Sequence, residues 1–170
     1  MCRSHSVLGS ASGSLFCMSM EIREATADDL SALAGLRWLC HTERHAAEEL
    51  DFDAYRLGFT RWWSAQGGRC RAIVAVDESQ VVGMGFLALV NRVPSPGSLD
   101  RRHGDVQSMY VRPSHRNAGV GSKILQGLIG LARDAECERI EVHSGRRAVT
   151  LYERSGFEHF HRLLNQDLGE

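Results

Sequence analysis

The sequence predicts a single α/β (α+β) domain in which about four helices flank a mixed, twisted sheet of about six to seven strands. The chain has 170 residues, of which 43% are apolar, and this suffices for one domain with a full core. Apolar periodicities predict the order β-α-α-β-β-β-α-β-α-β, without an internal repeat. The central unit from Asp105 to His143 has a strand–helix–strand pattern, which predicts a right-handed parallel crossover.

The folded domain is expected to begin near Met20. Residues 1–19 are rich in Ser and Gly and have no sustained apolar period. A signal peptide would need a longer uninterrupted apolar centre. We therefore interpret residues 1–19 as a disordered leader or an upstream start, and residues 20–170 as the domain.

One strand and two helices are predicted first. Met20–Thr26 alternates, as a short strand does. Thr26 and Asp29 have the spacing of a relaxed capping box, in which Asp replaces the usual Glu or Gln, so a helix follows. The apolar face of that helix consists of Leu30, Leu33, Leu36 and Leu39 or Cys40. A second helix is predicted over about Ala46 to Ser64, where Gly58 weakens the pattern.

Three strands should come next. Cys70–Val76 and Gln80–Val93 predict two strands joined by a hairpin turn at Asp77–Ser79. The residues from Pro94 to Gly104 predict a loop. Asp105–Val111 then predicts the third strand of this group.

The last part of the chain predicts a helix, a strand, a short helix and closing strands. The first of these helices has apolar residues at a spacing near 3.6, namely Val120, Ile124, Leu125, Leu128, Ile129 and Ala132. Glu138–Ser144 predicts a strand, and Arg146–Gly156 predicts a short helix that ends at its glycine. We expect Phe157–Leu168 to form one or two closing strands.

Composition argues against several classes of protein. The formal net charge of −1 gives no global attraction to nucleic acid or to an anionic membrane. No apolar run approaches the roughly 18–20 residues of a membrane helix. The five cysteines are scattered, and no pair has CxxC spacing, so neither a metal site nor a disulfide framework is predicted. We expect a cytoplasmic protein with reduced cysteines.

A glycine-rich loop, "HRNAGVGSKIL" from His115 to Leu125, is the strongest local motif. It fails the nucleotide-triphosphate template, because Arg116 occupies the first glycine position and the Lys-Ser order is reversed. It fails the dinucleotide template, because Ile124 occupies the third glycine position.

A third template, R/Q-x-x-G-x-G/A, fits Arg116, Gly119 and Gly121 without gaps. The N–H groups from Asn117 to Ser122, together with the start of the following helix, would suit a pyrophosphate. The alternative is a plain glycine-rich turn before a helix.

Two motifs in this order resemble the GCN5-related N-acetyltransferase (GNAT) family. "MYVRPSHRNAGVGSKIL" is similar to its central acetyl-coenzyme A motif, and "AVTLYERSGF" to its second hallmark, and the resemblance extends from Met20 to about Leu168. It implies two splayed parallel strands and acetyl transfer from acetyl-CoA to an amine. The pantetheine arm would lie beside Met109, Tyr110 and Val111. The pyrophosphate would lie on Arg116, Asn117, Ala118, Gly119, Val120, Gly121 and Ser122.

The resemblance also suggests catalytic residues. Tyr152 matches the tyrosine whose hydroxyl protonates the leaving thiolate, whereas the alternative is a tyrosine that only anchors the core. Asp105 matches the position of a carboxylate base, whereas the alternative is a residue that caps the preceding turn. On a regular strand Asp105, Gln107 and Met109 would share one face. Lesser candidates for the base are His103, Glu43 and His143. The family's Asn before the tyrosine helix is Gly145 here.

The resemblance implies that the acceptor binds between the first two helices and the loop after the third strand, and that a homodimer could form through the closing strands. Arg37, Trp38 and Glu43 are the candidate substrate-binding residues there, and Trp62 and Trp63 could also wall an apolar site. Carboxylates would suit a cationic amine, and arginines would suit an amine that also carries an anion. We expect a small-molecule or peptide amine. The alternative function is a non-catalytic acyl-CoA-binding or regulatory module on the same fold.

Overall fold

The computed structural model describes residues 20–45, 51–146, 148–161 and 163–168. The predicted leader at 1–19 lies outside these ranges, as does the start of the predicted second helix at 46–50. The strands are β1 (Glu21–Glu24), β2 (Cys70–Asp77), β3 (Gln80–Arg92), β4 (Arg101–Val111) and β5 (Arg139–Val142). The α-helices are α1 (Leu30–Thr42), α2 (Phe52–Ala65), α3 (Val120–Asp134) and α4 (Val149–Arg154). Short 3-10 turns lie at Ala27–Asp29 and Pro113–His115.

The described strands form one mixed sheet in the order β1-β2-β3-β4-β5. Neighbours are antiparallel from β1 to β4, and β5 pairs parallel with β4, as the crossover through α3 predicts. The predicted α/β class, mixed sheet and four helices are confirmed. β4 begins at Arg101 rather than Asp105, because the β3–β4 hairpin stays paired as far out as Arg92 and Arg101.

The prediction of six to seven strands was wrong for the described residues, which form five. Residues 157–161 and 163–168 contain no strand, so the predicted closing strands, and the dimer contact based on them, have no support there. The apolar residues of this segment are Phe157, Phe160, Leu163, Leu164 and Leu168. Their spacing does not alternate, so no strand face would be uniformly apolar.

The start of α1 follows the predicted capping box. The Asp29 carboxylate accepts hydrogen bonds from the Thr26 backbone N–H at 2.8 Å and from the Thr26 hydroxyl at 3.2 Å. The Arg23 guanidinium donates two further bonds to the same carboxylate, at 2.6 and 2.9 Å. These bonds fully satisfy a carboxylate that is only 5% exposed, and they hold its pKa below the usual range.

The sheet separates two apolar clusters, because alternate strand residues face opposite sides. On β2, Ile73 and Ala75 face α3, whereas Ala72 and Val74 face α1 and α2. The six apolar residues predicted to form the buried face of α3 all lie in the cluster between α3 and the sheet. The cluster on the opposite side of the sheet contains Leu33, Leu36 and Cys40 of α1 with Phe59 of α2.

Two glycines of β3 let α3 approach the sheet closely. A Cβ atom on Gly83 would lie 2.8 Å from Ile124 Cδ1, and one on Gly85 would lie 2.9 Å from both Ile124 Cγ2 and Leu128 Cδ1. Real side chains do not tolerate such distances without a shift. The Val-Val-Gly-Met-Gly-Phe pattern of β3 therefore positions the helix whose N-terminus follows the glycine-rich loop.

Candidate active site

An irregularity in β4 decides which side chains face which side of the sheet. Met84 of β3 pairs with Tyr110 of β4, and Phe86 of β3 pairs with Gln107 of β4. Two steps along β3 therefore correspond to three steps along β4. Ser108, within this stretch, has a φ of +49°. This is a β-bulge, which kinks the strand and reverses the alternation beyond it.

The bulge corrects the prediction that Asp105, Gln107 and Met109 share one face. Asp105 and Gln107 do share a face, since the Gln107 amide donates to Asp105 Oδ2 at 2.6 Å. Met109 instead packs on the α3 side of the sheet, with Val106 and Val111. The extra residue at the bulge moves Met109 across the sheet.

The same region contains an open strand edge. The parallel pairing between β4 and β5 ends at Val106 and Val142, although β4 continues to Val111. In the described part of the chain no strand pairs with this edge of β4 beyond Val106. The two parallel strands thus separate as predicted, and backbone groups of β4 are left for an extended ligand to pair with.

The glycine-rich loop leads into α3 through two left-handed residues, Asn117 with φ +63° and Gly119 with φ +77°. The first α-helical hydrogen bond runs from the Lys123 N–H to the Gly119 carbonyl. The backbone N–H groups of Val120, Gly121 and Ser122 have no acceptor among the described residues. A Cβ on Gly119 would meet nothing within 4 Å, so this helix start is accessible to an anion.

The Arg116 side chain is partly exposed but is held against the protein by three contacts. Its Nη2 donates to Glu43 Oε2 at 2.9 Å, its Nε donates to the Val111 carbonyl at 2.8 Å, and its guanidinium lies 5.3 Å from the centre of the Tyr110 ring. The Tyr110 hydroxyl donates to Glu43 Oε1 at 2.5 Å. These contacts connect the end of α1 to the loop through Glu43.

This network changes the roles predicted for two residues. The Tyr110 side chain lies in the cluster under α1 and α2, on the side of the sheet away from α3, and only its backbone remains at the open edge of β4. Glu43, predicted to bind the acceptor, has both carboxylate oxygens occupied within the protein. Hydrogen bonds from Tyr110 and Arg116 lower the pKa of Glu43, and burial with the Glu43 contact raises the pKa of Tyr110 to about 12.

Tyr152 of α4 reaches the separated part of β4. Its hydroxyl lies 3.4 Å from Met109 Sδ, and its ring makes an edge contact with Phe157 at 5.5 Å between centroids. Gly156, with φ +88°, ends α4 and allows the chain to turn so that Phe157 can make this contact. The side chain is 7% exposed, and burial raises the pKa of the phenol. Tyr152 is therefore neutral at physiological pH and can act as a proton donor.

A cleft lies on the other side of the bulge, between α1, α2 and the sheet, with a volume of about 390 Å³. It is lined by Arg37, Ala54, Tyr55, Gly58, Phe59, Trp62, Phe86, Gln107 and Ser108. Its volume is at the lower end of the range for small-molecule sites. The cleft therefore reaches the bulge from the side opposite Tyr152 and Met109.

Of the predicted acceptor residues, Arg37 lines this cleft and Trp38 does not. Trp38 packs against Phe52 and Tyr55, with ring centroids 5.7 and 5.3 Å apart, and so supports a lining residue from behind. Trp62 lines the cleft, as predicted for an apolar wall, whereas Trp63 packs on Phe86 with 6.1 Å between the ring centroids. Sequence reasoning missed Tyr55 and Phe59, although their spacing with Trp62 is that of one helix face.

Of the lesser candidates for a base, Glu43 is held by Tyr110 and Arg116, His103 lies on β4, and His143 lies just after β5. His103 lies 3.7 Å from both Glu138 and Glu141. His143 follows the last residue of β5, where the two strands separate. Among the described residues no cluster of three or more metal-ligating side chains occurs, and no helix is long and apolar enough to cross a bilayer.

A family model for the acetyltransferase (GNAT) family matches residues 30–157, which is most of the chain. The chain belongs to the GNAT family. This GNAT protein is 27% identical over 89 residues to the glucosamine 6-phosphate N-acetyltransferase of Trypanosoma brucei brucei, a match that covers 52% of this chain and 58% of that one. It is 27% identical over 117 residues to the uncharacterised N-acetyltransferase YedL of Escherichia coli, and this match covers 66% of this chain and 62% of that one. The chain thus spans about three fifths of the length of these curated relatives.

Solved structures show the same GNAT fold. A predicted acetyltransferase with acetyl-CoA from Clostridium acetobutylicum superposes with a TM-score of 0.74 at 20% identity, over 88% of this chain and 97% of the other. The glucosamine-6-phosphate N-acetyltransferase of Arabidopsis thaliana superposes with a TM-score of 0.68 at 14% identity, over 89% and 99%. At these identities the comparison establishes the fold alone.

Proposed function

We propose that this protein is an acetyl-CoA-dependent N-acetyltransferase that moves the acetyl group directly to a primary amine of a small molecule or peptide. One observation carries the proposal: the open edge of β4, the accessible N-terminus of α3 and the Tyr152 hydroxyl all meet at one separation of the sheet. Family membership supports the same reaction class, and a structural neighbour is described with acetyl-CoA.

The donor would bind along β4 and the loop. The backbone of Met109, Tyr110 and Val111 would pair with the amide groups of the pantetheine arm. The loop from Arg116 to Ser122 would hold the pyrophosphate, chiefly through the three unpaired N–H groups at the start of α3. Gly119 supplies the left-handed turn and leaves open space for the phosphates. Arg116 would hold the loop in place through Glu43 rather than bind phosphate directly.

The reaction needs two proton transfers. The amine nitrogen forms a bond to the thioester carbon, the carbon–sulfur bond breaks, and the sulfur leaves as a thiolate. The Tyr152 hydroxyl, whose pKa is raised by burial, donates its proton to that thiolate. The shielded position of Tyr152 near Met109 fits this role because bulk water would compete less as the proton source.

The second proton leaves the amine. Asp105 lies on the cleft side of the sheet, and its carboxylate accepts from Gln107, which lines the cleft. We propose that Asp105 accepts the amine proton through a water molecule, while the neutral Gln107 amide only orients hydrogen bonds and does not carry the proton. The separation between Asp105 and the cleft makes a relay necessary, because Gln107 lies between them.

The test combines binding and turnover on the same protein. Calorimetry should show that acetyl-CoA binds and ATP does not. Release of free thiol in the presence of an amine panel should then show turnover. Binding without thiol release for any amine would favour the non-catalytic acyl-CoA-binding module, and lack of acetyl-CoA binding would refute the proposal.

A further inference from the structure

We infer that the acceptor is a compact amine that carries both an apolar ring and a carboxylate, as an aromatic α-amino acid does. The inference rests on the proposed function and assigns the substrate class of the cleft under α1 and α2. It is carried by the juxtaposition in that cleft of aromatic walls, an arginine that has no ion pair within the described part of the chain, and a glutamine at the bulge.

The walls of the cleft are aromatic. Tyr55, Phe59 and Trp62 are spaced along one face of α2, and Phe86 of β3 faces them. Phe59 lies 5.6 Å from Trp62 and 6.2 Å from Phe86 between ring centroids. Trp62 remains 42% exposed, whereas Phe59 of the same helix is buried. A ring inserted between these side chains would bury apolar surface on both partners.

Arg37 is the one formally charged residue among the described residues that line the cleft. Among the described residues its guanidinium has no ion pair, whereas Arg23, Arg71, Arg101 and Arg116 each face a carboxylate. Its charge lies close enough to Tyr55 to oppose the upward shift that burial causes in the pKa of that phenol. A half-buried guanidinium beside aromatic rings is suited to a carboxylate, which it can bind through two parallel hydrogen bonds.

The charge of the lining also disfavours other amines. Among the residues that the structure describes, no carboxylate lines the cleft, so a polyamine would meet Arg37 without a compensating anion from them. A sugar phosphate shares the combination of amine and anion, but its hydroxyl groups would lie against four aromatic rings and lose hydrogen bonds to water. The cleft therefore favours a carboxylate with an apolar body.

Gln107 fixes the end of the cleft at which the amine would lie. Its Nε2 donates to Asp105, which leaves the amide oxygen available to accept from a donor in the cleft. The residue lies at the bulge, next to the separated strands where the thioester is proposed. The acceptor nitrogen at Gln107 and the carboxylate at Arg37 would then orient the ring between α2 and Phe86.

The experiment compares acceptors at one saturating concentration of acetyl-CoA, with thiol release as the readout. The arms are L-phenylalanine, phenethylamine, L-alanine, glucosamine 6-phosphate and spermidine. We expect kcat/KM for L-phenylalanine to exceed each of the others by about tenfold or more, since loss of either the ring or the carboxylate removes more than 1.4 kcal/mol of recognition. Equal or better turnover of any other arm would overturn the inference.

A variant pair isolates the carboxylate contact. Arg37→Gln should lower kcat/KM for L-phenylalanine by about tenfold or more and leave phenethylamine within about twofold. Arg61→Gln, on the exposed side of the same helix pair and outside the lining, should change neither. An equal loss for both acceptors in Arg37→Gln would assign Arg37 to packing rather than to carboxylate recognition.

The two proposals fail in different ways. If acetyl-CoA does not bind in calorimetry, the proposed function is refuted. If acetyl-CoA binds and thiol is released with spermidine or glucosamine 6-phosphate but not with L-phenylalanine, only the substrate class is refuted. Binding without transfer to any of the five arms also refutes the substrate class.

Discussion

Gly85 offers the sharpest test of how closely α3 packs on the sheet. It lies in the middle of β3, opposite the helix whose N-terminus is proposed to bind the pyrophosphate. A Cβ at this position would lie 2.9 Å from Ile124 Cγ2, 2.9 Å from Leu128 Cδ1 and 3.1 Å from Met109 Cγ. Gly85→Ala should therefore force at least two packed side chains to move.

Two opposing contributions set the size of the effect. Overpacking of this kind costs about 1–3 kcal/mol, because Ile124 and Leu128 are both fully buried and lack free space. Replacing a strand glycine by alanine gains about 0.5–1 kcal/mol in backbone entropy. We expect the free energy of unfolding to fall by about 1–2 kcal/mol, which corresponds to a melting temperature lower by roughly 3–6 °C.

Gly130 in α3 is the matched control. A Cβ there would meet nothing within 4 Å, so Gly130→Ala should raise the free energy of unfolding by about 0.5–1 kcal/mol through helix propensity alone. Urea unfolding followed by circular dichroism would measure both variants. Equal stabilisation by the two substitutions would show that α3 does not lie as close to β3 as the structure places it.

Three further predictions concern single side chains. Tyr152→Phe should lower kcat by about 100-fold or more with little change in the KM for acetyl-CoA, as measured by thiol release, because the phenol is proposed as the proton donor; unchanged kcat would remove Tyr152 from the mechanism. Gly119→Ala should cost about 1–2 kcal/mol on denaturation, since its φ of +77° is unfavourable for alanine, and should weaken acetyl-CoA binding in calorimetry. Hydrogen bonds from Arg23 lower the pKa of Asp29 in the folded protein. The stabilising contribution of Asp29 is therefore complete above its unfolded pKa of about 4 and is lost as the pH falls through its lower folded pKa. Urea midpoints between pH 6 and 2 should fall more steeply for the wild type than for Asp29→Asn, and parallel curves would contradict the Arg23–Asp29 contact.

Much of the proposed acetyl-CoA site could be predicted from local sequence patterns. The glycine-rich loop, the following amphipathic helix and the tyrosine helix are contiguous segments, and each carries its own signal. Gly119 requires a left-handed conformation at its own position, and the free N–H groups after it belong to any helix start. Such features depend on residues close in sequence, so they can be predicted without knowledge of the tertiary structure.

The acceptor side could not be read in this way. Glu43 and Arg116 are 73 positions apart, and nothing in either segment predicts that one carboxylate binds both Arg116 and Tyr110. Trp38 and Trp62 look equivalent in sequence, yet only Trp62 lines the cleft. Which aromatic residue faces a cleft depends on how two helices cross, which is a property of packing rather than of periodicity.

The sequence by itself determined the family, the glycine-rich turn before α3 and the order of the elements from β1 to α4, because these depend on short-range patterns of glycine, charge and apolar spacing. Tertiary structure alone decided that β4 carries a bulge, that Met109 joins Tyr152 on one side of the sheet, and that Gln107 joins Arg37 around the cleft on the other. The physical reason is register. A strand alternates by default, and only its pairing with β3 shows where one extra residue reverses the faces.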